Sequence, residues 1–142
     1  MKTKTIILSI HPQHIAKILS GEKCFEYRKK IPTDIEYLIV YATSPIKKVV
    51  AVIEIDTVLR DSAQNIWERT QKHAGVSYEF LMHYFNDTEE AFAIKFKNIH
   101  QLSTPMNITV IENIKSAPQS YQYVHEHISD LCKKLLTEPA VA

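Results

Sequence analysis

Glycine is almost missing from this chain: Gly21 and Gly75 are the only two in 142 residues. A phosphate loop of the glycine-rich kind needs several closely spaced glycines, so nucleotide binding through such a loop is excluded. Cysteine is equally sparse. Cys24 and Cys132 lie far apart, too few for a disulfide-stapled scaffold, and with no secretory signal in "MKTKTIILSIHPQH" both read as thiols in a reducing, cytoplasmic setting. No stretch approaches the roughly 20 apolar residues of a membrane-spanning helix. Charge of one sign is lacking too. Seventeen Lys and Arg against sixteen Asp and Glu leave +1, which excludes a histone-like basic coat but not a local basic groove.

Metal-ligand spacing is also wanting. His11 and His14 are three apart, and His125 and His127 flank Glu126, yet neither pair has a third ligand at a diagnostic distance, and no HExxH or CxxC occurs. No metal or other cofactor is expected. Serines, threonines and Cys24 supply nucleophile types without the spacing of a triad.

What remains is a chain with 45% apolar residues, enough for one domain over residues 1–142. "TIILSI" reads as a buried strand, and "HPQHIAKILSG" as a helix with Pro12 in its first turn and Gly21 at its stop. Strands are expected at 23–29, 37–43 and 48–59. Two helices follow within 62–85, the second capped by Ser77, with Phe80, Leu81, Tyr84 and Phe85 as its apolar side. "EAFAIKFKNI" alternates strictly and is the clearest strand. "NITVI" suggests a short strand, and 120–136 a closing helix. With few βαβ signals, a mixed sheet curling into a small barrel with helices outside is favoured over a flat two-layer sandwich.

The stretch "SGEKCFEYRKK" concentrates charge where a strand begins. Alternation sends Cys24, Glu26 and Arg28 to one face and Phe25 and Tyr27 to the other. An exposed charged strand would read this way, and so would a pocket floor in which Glu26 and Arg28 pair, because unpaired buried charge is too costly. Lys23 beside Glu26 has the makings of a proton-transfer pair or of a plain salt bridge. Lys29, Lys30, Lys47 and Lys48 with Tyr27, Tyr37 and Tyr41 are raw material for nucleic-acid contact.

"ILSIHPQHIAKILSGEKCFEYRKKIP" resembles the opening of the ASCH domains, a branch of the PUA-like superfamily. Their G-x-K-x-x-E-x-R signature is met by Gly21, Lys23, Glu26 and Arg28. The likeness continues at Val40–Pro45, Val49–Ile55, Ala91–Asn98 and Pro118–Val124. The resemblance implies an α+β fold, a small mixed PUA-like β-barrel with flanking helices and a cleft floored by the signature strand. It implies a binder of RNA, of single-stranded nucleic acid or of a nucleoside-like small molecule, acting in transcriptional or translational regulation. Lys23, Glu26 and Arg28 inherit the pocket role, with Tyr41, Thr43, Ser44, Gln119 and Ser120 as rim candidates and Gly21 as a structural residue. A small hydrolase using Lys23 and Glu26 on a modified nucleoside or on RNA is an alternative, and a protein-interaction domain another. Family members that act on N4-acetylcytidine use a lysine, a threonine and a glutamate. Lys23 matches the first, but Glu26 occupies the threonine position and the region of Ala74 that of the distant glutamate, so that activity does not carry over.

Overall fold

The computed structural model describes residues 4–136. Its chain order is β1 (Thr5–Ile10), α1 (Pro12–Ser20), β2 (Phe25–Arg28), β3 (Tyr37–Ala42), β4 (Lys48–Asp61), α2 (Ala63–Thr70), α3 (Tyr78–Tyr84), β5 (Ala91–Met106), β6 (Tyr121–Val124) and α4 (Ile128–Leu136). All six strands form one mixed sheet in the order β2-β5-β4-β3-β1-β6. β1 runs parallel to β3, and the other pairings are antiparallel.

The sheet buries both faces, which explains the nearly continuous apolar runs of its central strands. In β1, Ile6, Leu8 and Ile10 enter a core shared with α1, while Ile7 points to a second core under α4. β4 divides in the same way: Ala51 and Ile53 face the first core, Val49 and Val52 the second. A third core sits where α2 and α3 cover β2 and β5, built on Phe25, Tyr27, Ile66, Leu81 and Phe85. There Ala91 and Ala93 alternate with Phe92 and Ile94, and small residues on the covered face let the helices approach.

The sheet is curled into a half-barrel. Laid flat, β2 and β1 would be four strand spacings apart, about 19 Å. Yet the Arg28 guanidinium at the end of β2 donates to the Ser9 carbonyl of β1 at 2.8 Å. A side chain spans that gap only if the sheet bends until its margins face each other. Bulges at Val49/Ala51, Glu54/Ile55 and Ile55/Thr57 in the β4–β5 ladder supply the bend.

Three expectations are corrected. "NITVI" contributes a single 3-10 turn (Ile108–Val110), capped by the Asn107 side chain on the Thr109 N–H. The closing helix begins at Ile128, because residues 121–124 pair with β1 as β6; Val124 fits a helical stripe and equally fills the second core from a strand. The strand expected at 90–99 runs on to Met106, with polar residues on its open face.

Candidate functional site

α1 starts at Pro12 and ends at Gly21, whose φ of 90° puts its N–H on the Ile18 carbonyl. That left-handed residue turns the chain sharply and brings Lys23 back beneath the helix, its N–H on the Lys17 carbonyl at 3.0 Å. β2 follows. Glu26 and Arg28 lie on the barrel-interior face, opposite Ile94 and Phe92 of β5, while Phe25 and Tyr27 turn into the third core.

Three signature charges thus meet at the open seam of the half-barrel. Lys23 is only 2% exposed and Glu26 7%. Glu26 Oε2 accepts from Arg28 Nε at 3.1 Å and Nη2 at 2.9 Å. Nη2 also serves Ser9, and Nη1 donates to Ser120 Oγ at 3.4 Å. Lys23 Nζ lies 3.8 Å from Glu26 Oε1, donates to the Ala74 carbonyl at 3.3 Å and stands 4.7 Å from the Tyr27 ring centroid. Each charge is paired, as burial demands.

Over them opens a cleft of about 320 Å3. Its lining comprises Ser9, Ile10, His11, His14, Lys23, Glu26, Tyr27, Arg28, Thr43, Val76, Phe80, Leu81, Tyr84 and Gln119. α3 forms one wall. The linker before it is held by two lysines on consecutive carbonyls, Lys23 on Ala74 and Lys17 on Gly75 at 2.9 Å. Gly75 has φ 70°, and a Cβ there would stand 2.6 Å from the Lys23 Cβ. The residue must be glycine for both reasons. Lys29 extends over the Tyr84 ring, 5.3 Å from its centroid.

Burial shapes the acid–base character of the lining. It pushes the Lys23 ammonium below its ordinary value, against the opposing pull of Glu26. It lowers His14 as well, with the nearby Lys23 charge acting in the same sense, so His14 is neutral at pH 7. The His14 Nδ1 is buried without a hydrogen-bond partner among the described residues. Tyr27 rises to about 12, chiefly through burial, and its hydroxyl donates to Thr70 Oγ1 at 2.7 Å. Among the described residues no three His, Cys, Asp or Glu side chains gather to hold a metal, and no helix is long and apolar enough to cross a membrane.

Of the residues singled out from sequence, Lys23, Glu26, Arg28, Thr43 and Gln119 line the cleft. Ser120 lies just outside and steadies Arg28. Two rim candidates are corrected. Tyr41 shares strand parity with Ile39 and packs with it in the second core, 8% exposed. Ser44 is exposed at the turn after β3 and does not line the cleft.

The α3 wall escaped sequence reasoning as a site, although its signal was present. Leu81 and Phe85 make one stripe, Phe80 and Tyr84 a second beside it. The first is fully buried, whereas Phe80 is 48% exposed. An apolar face too wide for its core marks a wall with something else to cover. His14, in the first turn of α1 and 5.9 Å from the Phe80 ring, carries no sequence signal beyond its weak metal-like spacing to His11.

The family profile described as "ASCH domain" matches residues 8–100. A Zymomonas mobilis protein named "ASCH domain-containing ribonuclease" is 27% identical over 128 residues, spanning 87% of this chain and 86% of that protein. The large ribosomal subunit protein uL22 of Ureaplasma parvum is 26% identical over 124 residues, and there the match covers 86% of this chain but only 40% of the relative. Among solved structures, the ASCH protein of Zymomonas mobilis superposes with TM-score 0.83 at 24% identity, over 95% of this chain and 97% of the other. A serine-to-alanine variant of the same protein gives 0.83 at 23%, over 96% and 99%. At such identity these superpositions speak for the fold.

Proposed function

The chain belongs to the ASCH domain family, and from that premise we propose that the seam cleft binds single-stranded RNA, one nucleotide entering at a time. Membership associates the chain with nucleic acid in general; RNA and the mode of entry are the proposal. One observation carries it: the buried Lys23–Glu26–Arg28 network does not end in hydrocarbon but opens onto a cleft walled by an aromatic ring that the core leaves half exposed. Phe80 offers a base its face, a sequence-tolerant contribution of about 1–3 kcal/mol. Lys29 and Lys30, where β2 ends, meet the phosphates that follow. Regulation of transcription or translation would be exerted through such binding.

The test is fluorescence anisotropy of a labelled single-stranded RNA decamer across a salt series. Arg28→Ala should weaken binding severalfold and make it less steeply salt-dependent. Because Arg28 also ties the seam, Phe80→Ala serves as the fold-neutral partner. Wild-type affinity in both variants, each still folded, would defeat the proposal.

A second reading is cleavage of the bound strand, favoured by the relative named as a ribonuclease. Neutral His14 would take the proton of a ribose 2′-hydroxyl as that oxygen attacks the adjacent phosphorus. The 5′-oxygen would leave with a proton from the Lys23 ammonium, which burial has made a stronger acid, and Glu26 would hold Lys23 in place. A strand methylated at the 2′-oxygens should bind and stay intact. Equal cutting of both strands would exclude this route. Hydrolysis of an acylated nucleoside has less behind it: among the described residues Glu26 is the only carboxylate in the lining, and Ala74 gives Lys23 just a carbonyl.

A further inference from the structure

The two oxygens of Glu26 are used unequally. Oε2 accepts both Arg28 hydrogen bonds. Oε1 accepts none among the described residues, its nearest cation being Lys23 Nζ at 3.8 Å, beyond hydrogen-bond reach. Glu26 lines the cleft while being 7% exposed. That oxygen keeps contact with the cleft, so its open lone pairs take their donors from there, either water or a ligand N–H that replaces it. Beside it, Lys23 has spent one N–H on the Ala74 carbonyl and faces the Tyr27 ring, which leaves its remaining donor capacity toward the cleft. The floor therefore offers an obligate acceptor next to an obligate donor.

We propose that this pair reads the Watson–Crick edge of an unpaired RNA base, Glu26 Oε1 accepting its N–H and Lys23 Nζ donating to the neighbouring oxygen or ring nitrogen. The inference rests on the RNA-binding reading above and deepens it. Each base carries a donor beside an acceptor on that edge, so the floor selects for an unpaired base over a particular one, and Phe80 is equally indifferent among π-faces. In a duplex the edge is already occupied. The same pairing of donor and acceptor explains why Arg28 must be so firmly engaged elsewhere. Its two bonds fix the carboxylate plane and spend Oε2, leaving one acceptor position in place of a bidentate fork.

The experiment uses the wild-type protein with two single strands of equal length and charge, a uridine decamer and the same decamer built from 3-methyluridine, and with a uridine–adenosine duplex of that length, which carries a second strand of phosphates. The methyl group removes the N3 donor and collides with Oε1, while phosphates and base faces remain. The plain decamer should bind at least tenfold more tightly than the methylated one, with the duplex no better than the latter. Equal binding of the plain and methylated decamers would overturn this inference while leaving RNA binding standing. No binding of any of the three would overturn both. Glu26→Gln, checked for folding, should bring the two decamers to within about twofold of each other; retained discrimination in that variant would also count against Oε1 as the acceptor.

Discussion

Gly75→Ala tests whether the cleft wall is set by contact with the Lys23 stem. Two costs add at this position. A side chain at φ 70° incurs about 1–2 kcal/mol of backbone strain. The new Cβ would also stand 2.6 Å from Lys23 Cβ and 2.9 Å from Cγ. Those atoms are the root of a buried side chain, not its free end, so relief requires moving the linker or β2, and overpacking of this kind costs about 1–3 kcal/mol. The expected destabilisation is about 2–5 kcal/mol, reduced slightly by the lower entropy of the unfolded alanine chain. Gly21→Ala is the internal control. It has φ 90° and nothing within 4 Å of an added Cβ, so strain acts alone, at about 1–2 kcal/mol. Asparagine tolerates the left-handed region and should recover much of the loss at position 21 but little at 75. Urea unfolding at fixed pH reads all four variants, with an unchanged slope confirming that midpoints report stability. If Gly75→Ala is no worse than Gly21→Ala, the close approach is not what the site demands.

Phe80→Ala should alter stability by only about 0.5 kcal/mol, as an exposed substitution does, while RNA affinity falls severalfold; equal losses in the unfolding and binding assays would make Phe80 a core residue. Tyr27→Phe removes the donor to Thr70 and should cost about 1 kcal/mol by urea unfolding. In the wild type, the Tyr27 phenol is raised to about 12. Its contribution to stability is therefore complete below the unfolded tyrosine value near 10, and disappears as pH climbs through about 12. Phenolate absorbance should show that late titration, absent in the variant. His14 is displaced downward from 6.5. Its contribution is fully present above pH 6.5 and is lost as pH falls through the lower folded value, so His14→Gln should flatten the acid limb of a stability profile, and NMR should place the ring's own titration below 6.5.

Much of this architecture was legible beforehand, and the misses share a cause. α1 announces itself by one buried apolar stripe, and β1 and β5 by apolar runs that supply a core on each face. Parity in "CFEYR" correctly set Glu26 and Arg28 apart from Phe25 and Tyr27, since alternation in a short strand leaves no other arrangement. Tyr41, a rim candidate only through the resemblance, offers alternation nothing to work on: Ile39, Val40 and Ala42 are all apolar, so no contrast in polarity tells which face is which. β6 was invisible because four residues added to an existing margin carry no periodicity of their own. Four of the fourteen residues lining the cleft, His14, Phe80, Leu81 and Tyr84, come from α1 and α3; they become neighbours only through the curl, and a curl made by bulges leaves no local signature.

That curl ends in an unusual fastening. Among the described residues the facing sides are not zipped by a ladder of backbone bonds; one guanidinium on β2, braced by the carboxylate two residues before it, stitches a carbonyl and a hydroxyl across the opening. A zipped barrel has its bore dictated by strand count and shear. A stitched one has a mouth whose width follows the length of a single residue, so exchanging that residue resizes the aperture while the three cores behind it stay as they are.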